Sequence, residues 1–398
     1  MLVLDRAAQE RLLGRTVRDV LAADDVHRLS GQRVLVTGAG GTVGAELSRQ
    51  LAAAGVARLT LVDHSEYALV RIEEEIRHAH PALDVVALLC DVTRSVDIRA
   101  ACRAGQPRVV YHAAAYKHVT AAEAAIVPAA RVNVLGTIET MRAAREAGAR
   151  FVLISSDKAA APRSVMGATK RLAELVTLSE AGDSFRPIVI RFGNVLGSSG
   201  SVVEIMVRKL NAGLPIPITE PDATRYFMTA SEAVALVLKA DLLAERAEMF
   251  WLDMGEPIRI GDLADRMTAQ ATASGVRPAG IEVIGLRPGE KLREELTAQG
   301  LAMKPTAHER IFSGGHPEIG AGAMNDAVRL LGDACAAGDA IDVIKVLKRH
   351  VDDYIPSEAA LANAITHTAH LIAAQRPAPA RPKGKALRDL ASRHRKSA

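Results

Sequence analysis

The chain has 398 residues, 49% of them apolar and only 3% aromatic, so there is room for a large core built mainly on Ala, Leu and Val. Lys and Arg outnumber Asp and Glu by 50 to 46, a net charge of +4, and the surplus lies between Arg376 and Lys396, which argues against nucleic-acid binding by the whole chain. The cysteines, Cys90, Cys102 and Cys335, lack metal-ligand spacing and suit a reducing compartment; with no long apolar run and no signal-peptide core, the expectation is a soluble, cytoplasmic protein without a membrane span.

Residues 1–30 read as an amphipathic helical arm. From Arg33 the pattern becomes a short buried strand, Arg33-Val-Leu-Val-Thr-Gly38, then Thr37-Gly-Ala-Gly-Gly-Thr-Val-Gly44 and a helix from Ala45 to Ala54. Gly38, Gly41 and Gly44 sit where strand turns into helix. There a backbone free of Cβ atoms can approach a pyrophosphate, and the helix N-terminus faces the anion. Thr37, Thr42 and Val43 complete this candidate cofactor turn. A second strand, Arg58 to Asp63, ends about 20 residues on, where a carboxylate can accept from an adenosine ribose hydroxyl. Asp63 repels a 2′-phosphate and so favours NAD over NADP, although His64 and Arg71 lie close enough in sequence to soften that choice. Strands then follow at Asp84 to Val92, Arg108 to Ala115, Arg150 to Ser156 and Arg186 to Val195. A helix is expected from Ala121 to Ala147 and another from Val165 to Glu180. Asp91 and Val92 are placed at the adenine, and Ala113 and Ala114 are small enough to let a cofactor lie close. The alternation predicts an α/β fold, a Rossmann-type doubly wound parallel sheet with a smaller C-terminal substrate-binding lobe, and ligands beyond the strand ends.

The stretch Ser155-Ser156-Asp157-Lys158, followed by Met166 and Lys170, joins a strand end to a helix face. Met166 and Lys170 stand four apart and share that face. Beyond residue 200 the prolines at 215, 217, 221 and 257 break short segments, and Arg225 and Arg287-Pro-Gly-Glu-Lys291 supply charge. The expected organisation is an arm (1–30), an NAD-binding domain (31–200), a mixed lobe (201–320), C-terminal helices (321–372) and a basic, disordered tail (373–398). Asn325 to Tyr354 reads as a helical pair broken at Gly338. Asn133 reads as a helix-stabilising hydrogen-bonder. His112 and His118 lack a third partner for a metal site, so no metal is expected.

Together these runs resemble the extended short-chain dehydrogenase/reductases. More narrowly they resemble the UDP-N-acetylglucosamine 4,6-dehydratases of the polysaccharide-biosynthesis branch. The similarity rests on the glycine turn, His112-Ala-Ala-Ala-Tyr-Lys-His-Val, Ser155-Ser-Asp-Lys, Met166-Gly-Ala-Thr-Lys-Arg-Leu-Ala-Glu, Arg191-Phe-Gly-Asn-Val-Leu-Gly-Ser, Thr224-Arg-Tyr-Phe-Met-Thr and Arg287-Pro-Gly-Glu-Lys. The resemblance implies NAD-dependent oxidation at C4 of the sugar, loss of water across C5–C6, and return of the hydride to C6. It implies that Ser156 holds the C4 oxygen, Lys170 the nicotinamide ribose, Asp157 the acid at the C6 hydroxyl and Lys158 the base at C5. Lys117, Asn194, Ser201, Arg225, Arg287 and Glu290 would serve the substrate, and a homo-oligomer is implied as well. The departure is Met166, which stands where the superfamily places a tyrosine and can neither take nor give a proton. Larger, membrane-anchored members are similar in this respect, which implies retained C5 configuration. A 4-epimerase on the same scaffold and a non-catalytic NAD-binding module are the rival readings.

Overall fold

The strands expected in the first half are rich in Val, Ile and Leu on both faces, the pattern of a sheet covered above and below. The computed structural model describes residues 2–18, 20–297, 303–314 and 321–375. In it the strands are β1 (Arg33–Thr37), β2 (Arg58–Asp63), β3 (Asp84–Leu89), β4 (Val109–His112), β5 (Arg150–Ser156) and β6 (Ile188–Phe192). Three later strands, β7 (Glu248–Leu252), β8 (Lys304–Pro305) and β9 (Ile311–Gly314), complete a nine-stranded sheet of order β8-β9-β7-β6-β5-β4-β1-β2-β3. From β3 to β7 every pair is parallel; β9 and β8 are added antiparallel. The doubly wound α/β expectation is met. Winding reverses between β1 and β4, so the ligand crevice lies beyond the carboxyl ends of those strands. Strands β7, β8 and β9 come from the 201–320 stretch, so the sheet takes chain from both sides of residue 200.

Helices Thr42–Ala53, Glu66–Ala79 and Ala230–Leu243 cover one face of the sheet and Ser95–Gly105, Thr137–Glu146 and Val165–Ser179 the other. A smaller core joins Leu12, Val17, Val203, Met206, Leu263 and Met267. It places the first helix, Arg6–Leu13, against Ile260–Ala273, where Arg266 Nη1 donates to Leu12 O at 2.6 Å. Among the described residues no helix is long and apolar enough to cross a membrane.

The continuous helix expected from Ala121 to Ala147 is instead broken. Val119–Ala124 stops at Ala125, Ile126–Ala130 follows, and a π-turn at Arg131–Gly136 precedes Thr137–Glu146. Pro128 has no N–H to give the carbonyl four residues back, which accounts for the break. The strands are also shorter than expected. β3 ends at Leu89, before Asp91, and Asn194–Val195 leaves the main sheet to pair with Phe227–Met228.

Outside the second face lie Ala321–Ala337, Ala340–His350 and Glu358–Gln375, with Gly338 at φ +71° between the first two. The basic tail from Arg376 on lies outside the described residues. This outer layer meets the sheet layer at Glu123. One Glu123 oxygen accepts from Val165 N at 2.7 Å, the start of the Val165–Ser179 helix, and the other accepts from Ser357 Oγ. Asn363 Nδ2 donates to Glu123 O at 3.0 Å.

Candidate active site

The glycine turn has the geometry its sequence requires. Gly38 sits at φ +65°, and a Cβ there would lie 2.7 Å from Ala114 N. A Cβ on Gly44 would be driven into Gly38 O. Gly41 precedes the Thr42–Ala53 helix and no side chain caps it, so the first N–H groups of that helix are free to face an anion. Asp63, at the end of β2, is buried; Oδ2 accepts from Gly40 N at 2.9 Å and Oδ1 from Ser65 N at 2.9 Å. The carboxylate therefore also braces the turn. Asp91 Oδ1 accepts from Thr93 N and Oγ1, and Val92 is buried against Gly136. Thr37 Oγ1 lies 2.8 Å from His112 Nδ1, and Ala113 N donates to Thr37 O at 3.1 Å. Burial, with Lys170 nearby, pushes His112 down to about 3, so this imidazole is neutral. The cradle of closely packed glycines, free helix N–H groups and a strand-end carboxylate fits a dinucleotide.

At the end of β5 the chain makes a short 3₁₀ turn, Asp157–Ala159, before Ser164 caps the Val165–Ser179 helix through Gly167 N. Ser156 Oγ donates to Asp157 Oδ1 at 2.8 Å. Lys158 Nζ donates to the same oxygen at 2.9 Å and to Asn194 Oδ1 at 2.9 Å. Asp157 is fully buried, and its Oδ2 has no hydrogen-bond partner. A Cβ at residue 193 would lie 2.8 Å from that oxygen and 2.5 Å from Met254 Cε, so only glycine fits between them. Burial would push the Lys158 ammonium down, but the Asp157 and Glu294 carboxylates hold it above the ordinary lysine value. Lys170 is buried and donates to Ile154 O at 2.6 Å; burial, opposed by Glu174, brings it down to about 8. Met166 is buried one turn earlier on the same helix.

Beneath this turn lies a fully buried ion pair. Arg191 Nε and Nη2 donate to the two Glu174 oxygens at 2.6 and 2.5 Å, and Ser155 Oγ donates to Oε1 at 2.5 Å. Burial pushes Glu174 up, but Arg191 and Arg171 outweigh it and hold the carboxyl below its usual range. Sequence reasoning passed over this pair, because two charges 17 residues apart carry no local signal.

Other expected residues are used differently. Arg225 is buried, and its guanidinium donates to the carbonyls of Thr224 (2.8 Å), Leu292 (3.2 Å) and Lys291 (2.7 Å). It clamps the returning 291–294 segment. Arg287 and Glu290 pair with each other at 3.4 Å on the turn at Gly289. Ser201 caps the Val202–Asn211 helix, and Lys117 is exposed on the loop after β4. Asn133 clamps that loop: Oδ1 accepts from Tyr116 N at 2.8 Å and Nδ2 donates to Tyr116 O at 3.1 Å and Thr169 Oγ1 at 3.0 Å. Its role is thus between elements rather than within one helix. Among the described residues no cluster is arranged to hold a metal ion.

A family described as polysaccharide biosynthesis protein matches residues 34–315. The capsular polysaccharide biosynthesis protein CapD of Staphylococcus aureus is 39% identical over 315 residues, 78% of this chain and 52% of that protein. The chain spans about half the length of the curated relatives it matches. Pen from Bacillus thuringiensis superposes with a TM-score of 0.66 at 28% identity, over 73% of this chain and 88% of its own. DesIV, the dTDP-glucose 4,6-dehydratase of Streptomyces venezuelae solved with NAD and TYD, shares the fold at a TM-score of 0.59 and 22% identity, over 66% of this chain and 88% of its own.

Proposed function

The chain belongs to the polysaccharide biosynthesis protein family, and from that premise we propose that it is a nucleotide-sugar 4,6-dehydratase acting on UDP-N-acetylglucosamine with bound NAD. The observation that carries the reading is the Asp157–Lys158 pair at the end of β5, beside the helix face of Met166 and Lys170. Water loss across C5–C6 needs a base at one carbon and an acid at the other. Transfer of one proton across the 2.9 Å contact turns the resting carboxylate and ammonium into a carboxylic acid and a neutral amine without changing the net charge of the site. Asp157 then protonates the departing C6 hydroxyl and Lys158 takes the C5 proton.

NAD, held on the Gly38–Gly44 turn with Asp63 at its ribose, supplies the oxidant for C4 and the reductant for C6. Ser156 orients the C4 oxygen. Met166 carries no proton, so in this reading Lys170, through a water, draws the C4 proton; its value of about 8 makes the amine accessible near neutrality. Asp157 is fully buried, which favours elimination over exchange with solvent.

Incubation of the purified protein with UDP-N-acetylglucosamine, read by mass, tests the reading. Loss of one water supports it. Unchanged mass with altered chromatography indicates a 4-epimerase, which needs no acid–base pair at C5–C6. NAD binding with no product from any nucleotide sugar indicates a binding module.

A further inference from the structure

We propose that the loop 197–201 is the roof of the cofactor site: tied to the glycine turn at Thr42 and seated on His118, it sets the rate at which the dinucleotide enters and leaves. This rests on the cofactor part of the reading above and not on the identity of the sugar.

The loop begins where the chain leaves the main sheet. Asn194–Val195 pairs with Phe227–Met228, Leu196 N donates to Met228 O at 2.9 Å, and the helix Val202–Asn211 starts at the Ser201 cap. Between these fixed ends Gly197 and Gly200 stand at φ +66° and +69°, a backbone that glycine adopts without strain. From Ser198 to Ser201 each N–H has a definite partner. Ser198 N donates to Val195 O at 3.2 Å and Ser201 N to Ser198 O at 2.9 Å, and Gly200 N donates to a Glu204 oxygen on the first turn of the helix. Of these four, only Ser199 N reaches outward. It donates to Thr42 Oγ1 at 3.2 Å, across 157 residues of chain.

Thr42 opens the helix after the glycine turn, on the β1 side of the crevice. The second contact is on the β4 side. His118 lies on the loop after β4, and a Cβ on Gly200 would lie 2.4 Å from its Cε1 and 2.9 Å from its Nε2, so the imidazole packs directly on the loop backbone. The loop therefore touches both banks of the crevice that lies beyond β1 and β4. Both ties join protein to protein, so the same ones open for entry and for exit. A reaction that oxidises C4 and returns the hydride to C6 leaves NAD as it began, so the cofactor need not exchange between turnovers. A dinucleotide that escaped between the two steps would strand the sugar as a ketone. A roof that opens rarely prevents this.

The test is the pair of rates for NADH binding to the full-length protein, read by nucleotide fluorescence: association by stopped flow, dissociation by a chase with excess NAD. Ser199→Pro deletes the N–H and Thr42→Val deletes the acceptor. Loss of one such bond should raise both rates about threefold to tenfold in Ser199→Pro, with Kd changed by less than about twofold. Thr42→Val should speed dissociation at least as much, and the double variant should dissociate no faster than Thr42→Val, because the two changes break one bond. Unchanged rates in a folded Ser199→Pro protein overturn the proposal. So does faster dissociation without faster association, which would make the loop a grip on the cofactor rather than a gate, and so do additive effects of the two substitutions. If Ser199→Pro does not fold, Gly200→Ala, whose Cβ meets His118, is read by the same two rates. A wild type that binds no dinucleotide refutes the cofactor site and the roof together. A wild type that binds it but dehydrates nothing refutes only the dehydratase reading, and the two rates still decide the role of the loop.

Discussion

Replacing Glu174 by Gln removes one charge from a pair with no solvent on either side, since Glu174 and Arg191 are both 0% exposed. In the variant the guanidinium stays buried against a neutral amide, while Ser155 and Arg171 lose a charged acceptor. Removing one member of a buried pair costs about 3–5 kcal/mol, because the other charge is left uncompensated. That is a large share of the roughly 5–15 kcal/mol by which domains are stable. Urea unfolding at neutral pH should show the midpoint falling by roughly 1–2 M. The pH dependence has a definite sign. The folded carboxyl of Glu174 is held below its unfolded value, so its contribution is complete above that value and is lost as pH falls through the folded one. Wild type should therefore lose this increment below about pH 4, and the variant should show no such loss. Glu174→Leu combined with Arg191→Met removes both charges and should recover part of the cost. A single-variant cost under about 1 kcal/mol, the range of exposed pairs, would refute the reasoning.

Asp157→Asn and Lys158→Met should each lower water loss by about 10²–10⁴-fold while leaving NAD binding in place, measured by product mass and by titration with NAD; retained turnover in both would sink the acid–base assignment. Gly44→Ala drives a Cβ into Gly38 O, so NAD affinity should collapse with little change in the far-ultraviolet circular dichroism, and unaltered affinity would show that the turn holds no cofactor. Turnover should rise with pH through a midpoint of about 8 if Lys170 draws the C4 proton, and Lys170→Met should remove that limb. Met166→Ala separates packing from participation: full turnover means the thioether only fills space, whereas loss in a folded variant gives it a role.

The glycine turn, the strands and the Ser156–Lys158 turn were legible because each is a local pattern: period, glycine spacing, and a strand feeding a helix. What escaped was long-range. The sequence shows Arg225 as a cation but not that its fork is satisfied by the carbonyls of residues 291 and 292. Glu294 carries no local signal in the sequence, and only the fold buries it. The helix expected from Ala121 breaks at Ala125 because Pro128 interrupts the ladder. Asn133, inside a widened turn, spends its amide on Tyr116 instead. Asn194, expected at the substrate, lies beyond the end of β6, and its partner across 36 residues is Lys158.

The Glu123 junction separates the stretch that shared ancestry marks from the stretch that must fold together. The family match closes at residue 315, and helices 321–375 come after it, yet Ser357 and Val165 N share a single Glu123 side chain. A protein trimmed to the recognisable segment would expose the hydrophobic underside of three helices' worth of contacts, including those of Val127, Leu172 and Val176 with Leu331, Val343 and Leu347 in one core. It would also leave the first turn of the Met166–Lys170 helix tied to half an anchor. Grafting experiments between relatives should therefore exchange the C-terminal helices together with residues 119–130, as one heritable piece.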